Sequence, residues 1–114
     1  MVSRGEWYYF DFPFPIKRRP VIIVSRSSGR KRCLVVPISE SEPKREQADI
    51  VAVTRLSVAN QLKGFVHCEE ITLLPVAEID PDNRMGRLSD ADMDILGSGL
   101  RFALGLIDDT TAKA

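Results

Sequence analysis

His67 and Glu69 form a pair whose residue types and spacing suit proton-transfer chemistry. The segment around them has the composition of a β-strand, and side chains two residues apart on a strand project from the same face. A histidine beside a carboxylate can act as an acid–base pair near neutral pH. The same pattern also fits a half-exposed strand with a surface glutamate next to a histidine. Cys68, between the two, is expected to point to the opposite face and to be buried.

Arg19 is a second residue with candidate chemistry, and it follows Lys17 and Arg18 directly. Its planar guanidinium can hold a phosphate through two parallel hydrogen bonds, which the point charge of a lysine cannot reproduce. A solvated base in a loop is the alternative, and we favour the phosphate clamp. Ser39, where a strand is predicted to end, suits a phosphate contact and a turn cap equally well.

Motifs that do not occur in the sequence restrict the possible chemistry further. The chain has one histidine and two cysteines, without metal-ligand spacing, so no metal or cofactor is expected. Signatures of nucleotide-binding loops, zinc proteases and serine hydrolases do not occur in the sequence. RNA cleavage fits the side chains that remain, because the 2′-hydroxyl of the substrate can itself be the nucleophile. The protein then supplies a base, an acid and a cation that stabilises the phosphorane-like transition state.

Length and composition indicate one globular domain, residues 1–114, with 44% apolar and 28% charged residues. The apolar runs are too short to span a bilayer, and the first residues lack the apolar segment of a secretory signal. We therefore expect a cytoplasmic protein with no membrane partner. In that compartment Cys33 and Cys68 are expected to be reduced core side chains rather than a disulfide.

Charge is balanced overall but unevenly distributed. Between Asp11 and Glu40 there are seven bases and no acid, whereas residues 78–109 hold eight acids and three arginines. A basic half suggests a surface that faces a polyanion. On charge alone, bases collected in solvated loops explain the pattern equally well.

Residue patterns predict several short strands followed by one helix. The strands are expected at Glu6–Phe12, Pro20–Ser25, Cys33–Ile38, Asp49–Thr54 and, as a strand pair or one bent strand, Gly64–Leu74. Ser89 is expected to cap an amphipathic C-terminal helix. Its apolar stripe consists of Met93, Leu96, Leu100, Leu104 and Ile107. The fold class is therefore mainly β plus α, a small barrel or half-barrel of antiparallel strands closed by that helix.

Three aromatic side chains near the N-terminus are candidates for stacking on RNA bases. Trp7 and Tyr9 share a strand face and are more simply explained as core or dimer interface. Phe14 lies between two prolines and is the better candidate for an exposed, RNA-binding aromatic.

Three segments, in this order, resemble the PemK/MazF-like toxins of bacterial toxin–antitoxin modules. Arg4–Phe12 with Arg19–Ser25 is similar to the opening strands of the family, and Val35–Ser39 is similar to a strand end that follows them. Gly64–Ile71 looks like a third motif of the PemK branch. Gly86–Ser89 and the C-terminal helix match the usual ending of the family.

The resemblance implies an SH3-like barrel, a homodimer, metal-independent endoribonuclease activity on single-stranded RNA, and inhibition by a cognate antitoxin. Position by position, Arg19 matches the catalytic arginine and Ser39 the residue at the scissile phosphate. Glu69 falls at the position of the base and His67 at that of the acid. Lys17 and Arg18 would position phosphates.

Two departures from the family pattern leave other functions open. The first loop is shortened to Pro13–Arg18, and Thr72 stands where many members carry an arginine. One alternative is a catalytically silent relative that binds RNA or an antitoxin. Another is a non-enzymatic, gyrase-inhibiting poison of the CcdB type on the same fold. That type places partner contacts at its extreme C-terminus, where residues 108–111 offer no bulky anchor.

Overall fold

The computed structural model describes residues 2–13, 16–26, 29–39, 53–55 and 64–106. The strands in these ranges are β1 (Glu6–Pro13), β2 (Ile16–Ile23), β3 (Arg32–Ser39), β4 (Val53–Arg55), β5 (Phe65–His67), β6 (Thr72–Pro75) and β7 (Arg84–Arg87). Two single-turn 3-10 helices, Val76–Glu78 and Pro81–Asn83, lie between β6 and β7. Helix α1 spans Asp90–Ala103. The predicted strand at Asp49–Thr54 is described only from Val53 onward.

The strands form an antiparallel sheet in the order β4-β5-β3-β2-β1-β7. Strand β6 pairs with the first half of β3, and β5 pairs with its last two residues, on the same edge. Residues 64–75 therefore act as one bent strand interrupted by a turn. The sequence had predicted either a strand pair or one bent strand here. Among the described strands, β4 and β7 are the edge strands of the sheet and do not pair with each other. The predicted fold class is confirmed, although these strands do not close into a full barrel.

Alternating side chains of β1, β2 and β3 supply two hydrophobic cores, one on each face of the sheet. The helix-side core, packed against α1, contains Trp7, Ile22, Val36, Ile38, Val66, Cys68, Leu88 and Leu96. The second core contains Val2, Tyr8, Phe10, Val21, Ile23, Cys33, Val35, Leu74 and Ile79. Burying each large apolar side chain of this kind stabilises the fold by roughly 1.5–3 kcal/mol. The two cysteines are buried thiols in different cores, as predicted.

Strand β1 places its aromatic residues inside the protein. Trp7 and Tyr8 are each only 2% exposed, on opposite faces of the strand. The rings of Trp7 and Tyr9 meet edge to face with centroids 5.9 Å apart, which confirms that they share a face and pack in the core. A Cβ atom on Gly86 would lie 2.9 Å from Nε1 of Trp7. Strand β7 can therefore approach β1 this closely only with glycine at that position.

Helix α1 begins as predicted, because Oγ of Ser89 accepts a hydrogen bond of 3.1 Å from the backbone N–H of Asp92. Leu96 is fully buried and Met93 and Leu100 are half-buried, so the first part of the apolar stripe is core. Leu104, at the end of the helix, is 58% exposed. Within the described ranges no helix is long and apolar enough to cross a membrane.

Strand β2 begins four residues before the predicted start at Pro20. Its pairing with β1 runs from Trp7 opposite Ile22 to Pro13 opposite Ile16. The basic stretch has no strand composition of its own, and the ladder to β1 determines its conformation. The bases at positions 17–19 consequently lie in a strand and not in a loop.

Candidate active site

The three consecutive bases of β2 are divided between the two faces of the sheet. Lys17 is opposite Phe12, Arg18 opposite Asp11, and Arg19 opposite Phe10. Because side chains alternate along a strand, Lys17 and Arg19 share one face and Arg18 projects from the other.

Arg18 makes several contacts on its own face. Its Nη1 lies 3.7 Å from Oδ1 of Asp11, and its Nη2 donates a 3.3 Å hydrogen bond to Oδ1 of Asn83. Its guanidinium carbon lies 5.1 Å from the centre of the Tyr9 ring, a cation–π distance. A cavity beside these partners is lined by three carboxylates, those of Asp11, Glu78 and Asp80. Arg18 is thus paired with one acidic side chain, that of Asp11.

Arg19 and Ser39 lie just beyond the paired parts of β2 and β3, toward the same end of that pair. The two strands are antiparallel, and their last pair in this direction is Val21 with Pro37, two residues from each. Ser39 is the last residue of β3 and pairs with Phe65 of β5. The predicted strand end at Ser39 is therefore correct to within one residue.

Arg19, Ser39 and His67 occupy the same face of the sheet. Ile22 and Val66 project into the helix-side core. Arg19 is three residues from Ile22 and His67 is adjacent to Val66, so both project from the other face. Ser39 shares that face, because its partner in β5 is also adjacent to Val66. All three side chains are half-buried. We refer to Arg19, Ser39 and His67 as the site face.

His67 ends β5, and a turn follows it. Its Nδ1 lies 3.1 Å from Oε2 of Glu70, and the backbone N–H of Glu70 donates a 3.0 Å hydrogen bond to the carbonyl of His67. The imidazole is 17% exposed, whereas the Glu70 side chain is 56% exposed. The ring is therefore enclosed and the carboxylate lies at its outer edge.

Strand alternation had predicted the carboxylate of Glu69 beside His67. In the structure, the carboxylate beside His67 is that of Glu70. Alternation holds only within a strand, and β5 stops at His67. Glu69 lies in the turn and is exposed, next to the site face rather than on it. The prediction for Cys68 is confirmed, because this residue is fully buried in the helix-side core. Phe14 lies outside the described residues.

The site face offers a cation, a hydroxyl and an imidazole, with a carboxylate in the adjoining turn. This set can supply a proton donor, a proton acceptor and positive charge to a phosphodiester. In the described part of the chain, no group of three or more His, Cys, Asp or Glu residues is arranged to hold a metal ion.

A second feature is a basic groove of about 710 Å³ beside the β3–β6 pair. Exposed Arg30, Lys31 and Arg32 form one side of it. Leu34 and Leu73, directly opposite each other in β3 and β6, are 37% and 53% exposed and add an apolar surface. The groove thus combines positive charge with apolar contact area.

Residues 3–104 match the sequence model of the PemK-like, MazF-like toxins of type II toxin–antitoxin systems. The chain belongs to this family. The resemblance inferred from the motifs is therefore confirmed, and the match covers both the site face and the basic groove. Among curated proteins, none matches the chain significantly.

Solved structures of PemK/MazF-type toxins share the fold. An endoribonuclease from a mycobacterial species, in complex with its cognate antitoxin, superposes with a TM-score of 0.78 at 21% identity, over 95% of this chain and 99% of the other. MazF of Deinococcus radiodurans gives 0.73 at 13% identity, over 91% and 96% of the two chains. The Mycobacterium tuberculosis toxin MazF-mt6 gives 0.64 at 20% identity, over 90% and 99%. At such identities the superpositions demonstrate a common fold.

Sequence reasoning missed Glu70 as the partner of His67. Residues three apart meet across a tight turn, so the spacing of the two residues was a usable signal. It was overlooked because the strand was extended past its true end.

Proposed function

We propose that this protein is a metal-independent endoribonuclease that cleaves single-stranded RNA. The observation that supports this most strongly is the common face of Arg19, Ser39 and His67, three residues far apart in the sequence. Family membership and a mycobacterial relative described as an endoribonuclease agree with this proposal.

In the proposed reaction the 2′-hydroxyl of the RNA attacks the adjacent phosphorus. Glu69 accepts the proton of that hydroxyl as the O2′–P bond forms. His67 donates a proton to the 5′-oxygen as the P–O5′ bond breaks. The products are a 2′,3′-cyclic phosphate and a free 5′-hydroxyl, and no metal is needed for this balance.

Arg19 stabilises the charge that develops on the non-bridging phosphate oxygens. Its guanidinium can donate two parallel hydrogen bonds to them, and partial burial strengthens each bond. Ser39 donates a hydrogen bond to the same phosphate. Lys17 projects from the same face as Arg19 and binds a neighbouring phosphate. We assign Arg18 a weaker role in RNA binding, because it projects from the other face and already pairs with Asp11.

The second part of the proposal is neutralisation by a cognate antitoxin. Structures of a mycobacterial relative with its antitoxin and of Deinococcus radiodurans MazE–MazF provide the precedent. An acidic antitoxin segment with apolar side chains complements the basic groove, where Arg30, Lys31 and Arg32 adjoin Leu34 and Leu73. We further propose a homodimer, on the basis of the exposed apolar side chains at the end of α1.

Induced expression of the protein alone tests the proposed function in cells. Growth and the integrity of total RNA are followed after induction of wild type and of Arg19→Ala. We expect growth arrest with fragmented RNA for wild type, and neither for the variant. Growth arrest with intact RNA would favour a non-enzymatic poison, and no effect on either would favour a silent relative.

A further inference from the structure

Glu70 contacts the enclosed imidazole of His67 at one nitrogen only. We propose that Glu70 is a positioning residue, which holds the proton of neutral His67 on Nδ1 and leaves Nε2 as the nitrogen that exchanges a proton with RNA. This inference rests on the proposed ribonuclease function and adds to it a residue that orients the acid.

The geometry of the pair restrains the ring. Oε2 of Glu70 lies 3.1 Å from Nδ1, and a 3.0 Å backbone hydrogen bond from Glu70 to His67 closes the turn between them. Both ends of the contact are therefore fixed, one through side chains and one through the main chain. A ring that is 17% exposed and held at one nitrogen has little freedom to rotate.

The chemistry of the partner determines the tautomer. An ionised carboxylate only accepts hydrogen bonds, so Nδ1 must carry the hydrogen that it receives. In the neutral ring Nε2 then has the lone pair, and in the protonated ring it has the proton to be donated. A carboxylate that orients a catalytic histidine in this way is a recurrent arrangement in enzymes.

Nε2 is the part of the ring that lacks a partner. It is shielded from solvent and makes no hydrogen bond with any described residue. An unsatisfied buried nitrogen is unfavourable, and a hydrogen bond between Nε2 and the substrate would relieve that cost. Because Nε2 is shielded, its neighbours must shift when RNA binds.

The two adjacent glutamates then have separate tasks. Glu70 is engaged with Nδ1 of His67, so its carboxylate is occupied. Glu69 is exposed in the same turn and forms no ion pair with the described residues, so its carboxylate is available to RNA. Removing Glu70 should therefore disturb the acid, whereas removing Glu69 should remove the base and leave the imidazole as it is.

Nitrogen NMR of the imidazole tests the structural half of the proposal. His67 is the single histidine of the chain, so labelling with ¹⁵N-histidine gives one imidazole spectrum, recorded at alkaline pH where histidine is neutral. We expect the Nδ1–H tautomer in wild type, in Glu70→Gln, which keeps an acceptor oxygen, and in the control Glu69→Ala. In Glu70→Ala this tautomer preference should be lost. An Nε2–H tautomer in wild type, or an unchanged tautomer in Glu70→Ala, would overturn the proposal.

Kinetics test the catalytic half. Glu70→Ala should lower kcat by about 10- to 100-fold with KM changed by less than about twofold, since orientation of the acid is lost and RNA contacts are kept. Glu70→Gln should restore most of that rate, and Asp94→Ala, an exposed control on α1 at the other face of the sheet, should cleave like wild type. A normal kcat in Glu70→Ala, or no rescue by glutamine, would contradict the positioning role. If wild type cuts no RNA, the proposed function fails on that result, and the spectra still decide whether Glu70 sets the imidazole.

Discussion

Arg84 donates a hydrogen bond through Nε to Oε2 of Glu6, and this contact joins β7 to the first residue of β1. The other carboxylate oxygen of Glu6 accepts from the Tyr8 hydroxyl at 3.1 Å and from the backbone N–H of Ser3. Burial alone would raise the pKa of Glu6, but these hydrogen bonds outweigh it and hold that pKa below its usual 4.5. The ionised carboxylate is thus part of the folded structure.

Glu6→Gln should lower the free energy of unfolding at neutral pH by about 1–3 kcal/mol, because charged hydrogen bonds are lost. A carboxyl whose pKa is depressed by folding stabilises above its unfolded pKa of 4.5, and the contribution disappears as pH falls through the folded value. In urea unfolding, the difference in free energy of unfolding between wild type and Glu6→Gln should therefore be far larger at pH 7 than at pH 3. Glu78→Gln is the control on the surface, and equal losses at both pH values would contradict the assignment.

Ionisation of Tyr8 should lower the free energy of unfolding at alkaline pH. Burial, together with the hydrogen bond to Glu6, raises the pKa of Tyr8 from 10.0 to about 12. A group whose pKa is raised by folding stabilises fully below its unfolded pKa, so this contribution is lost as pH rises from 10.0 to about 12. The phenolate absorbance of the Tyr9→Phe variant, which leaves Tyr8 as the single tyrosine, should titrate near 12. Titration of Tyr8 at its ordinary value would show that the buried hydrogen bond is absent.

Charge reversal should locate the antitoxin. Arg30→Glu should weaken binding of the cognate antitoxin and reduce its salt dependence, because Arg30 lies on the basic groove. Arg18→Glu is expected to have a smaller effect, since Arg18 lies outside the groove and already faces Asp11. Binding isotherms at two salt concentrations provide the measurement. Unchanged binding by the Arg18→Glu/Arg30→Glu double variant would exclude this docking surface.

A homodimer is expected at micromolar concentration. The aromatic residues of β1 do not support this expectation, because Trp7 and Tyr8 are buried within one chain. The support comes from Leu104 and Leu106, which are 58% and 68% exposed near the end of α1. Sedimentation velocity should give a dimer for wild type and a monomer for Leu104→Asp. A wild-type monomer would refute the expectation.

The sequence predicted those features of the fold that depend on residues close together in the chain. The cap at Ser89 and the core position of Leu96 follow from capping and helical periodicity. Strand β7 was not predicted, because its composition is not that of a strand. Contacts distant in sequence hold it in place, Arg84 with Glu6 and Gly86 against Trp7.

The sequence predicted which residues belong to the candidate site better than it predicted how they are arranged in space. Arg19, Ser39 and His67 were chosen from residue type and resemblance, and strand register places them on one face. That Arg18 lies on the other face depends on where β2 begins. The choice between Glu69 and Glu70 depends on where β5 ends, which is set by pairing with β4, where His67 is opposite Val53, rather than by local sequence.

The most direct test of the ribonuclease assignment is cleavage of a mixed-sequence, single-stranded RNA in EDTA by wild type and matched variants. Arg19→Ala should lose a factor on the order of 10² to 10³ in rate, and Arg19→Lys should recover little of it. Glu69→Gln should be similarly impaired, and His67→Ala should be slower with a flatter pH profile between acid and neutral pH. Arg87→Ala, an exposed arginine of β7, which β1 separates from β2, is the control and should cleave normally.

All of these variants should unfold at temperatures close to that of wild type, because none of the substituted residues is fully buried. We predict that wild type cleaves in EDTA and leaves 2′,3′-cyclic phosphate ends, and that Arg19→Ala and Glu69→Gln do not. Full activity in both variants, or wild-type activity only after metal is added, would refute the ribonuclease assignment.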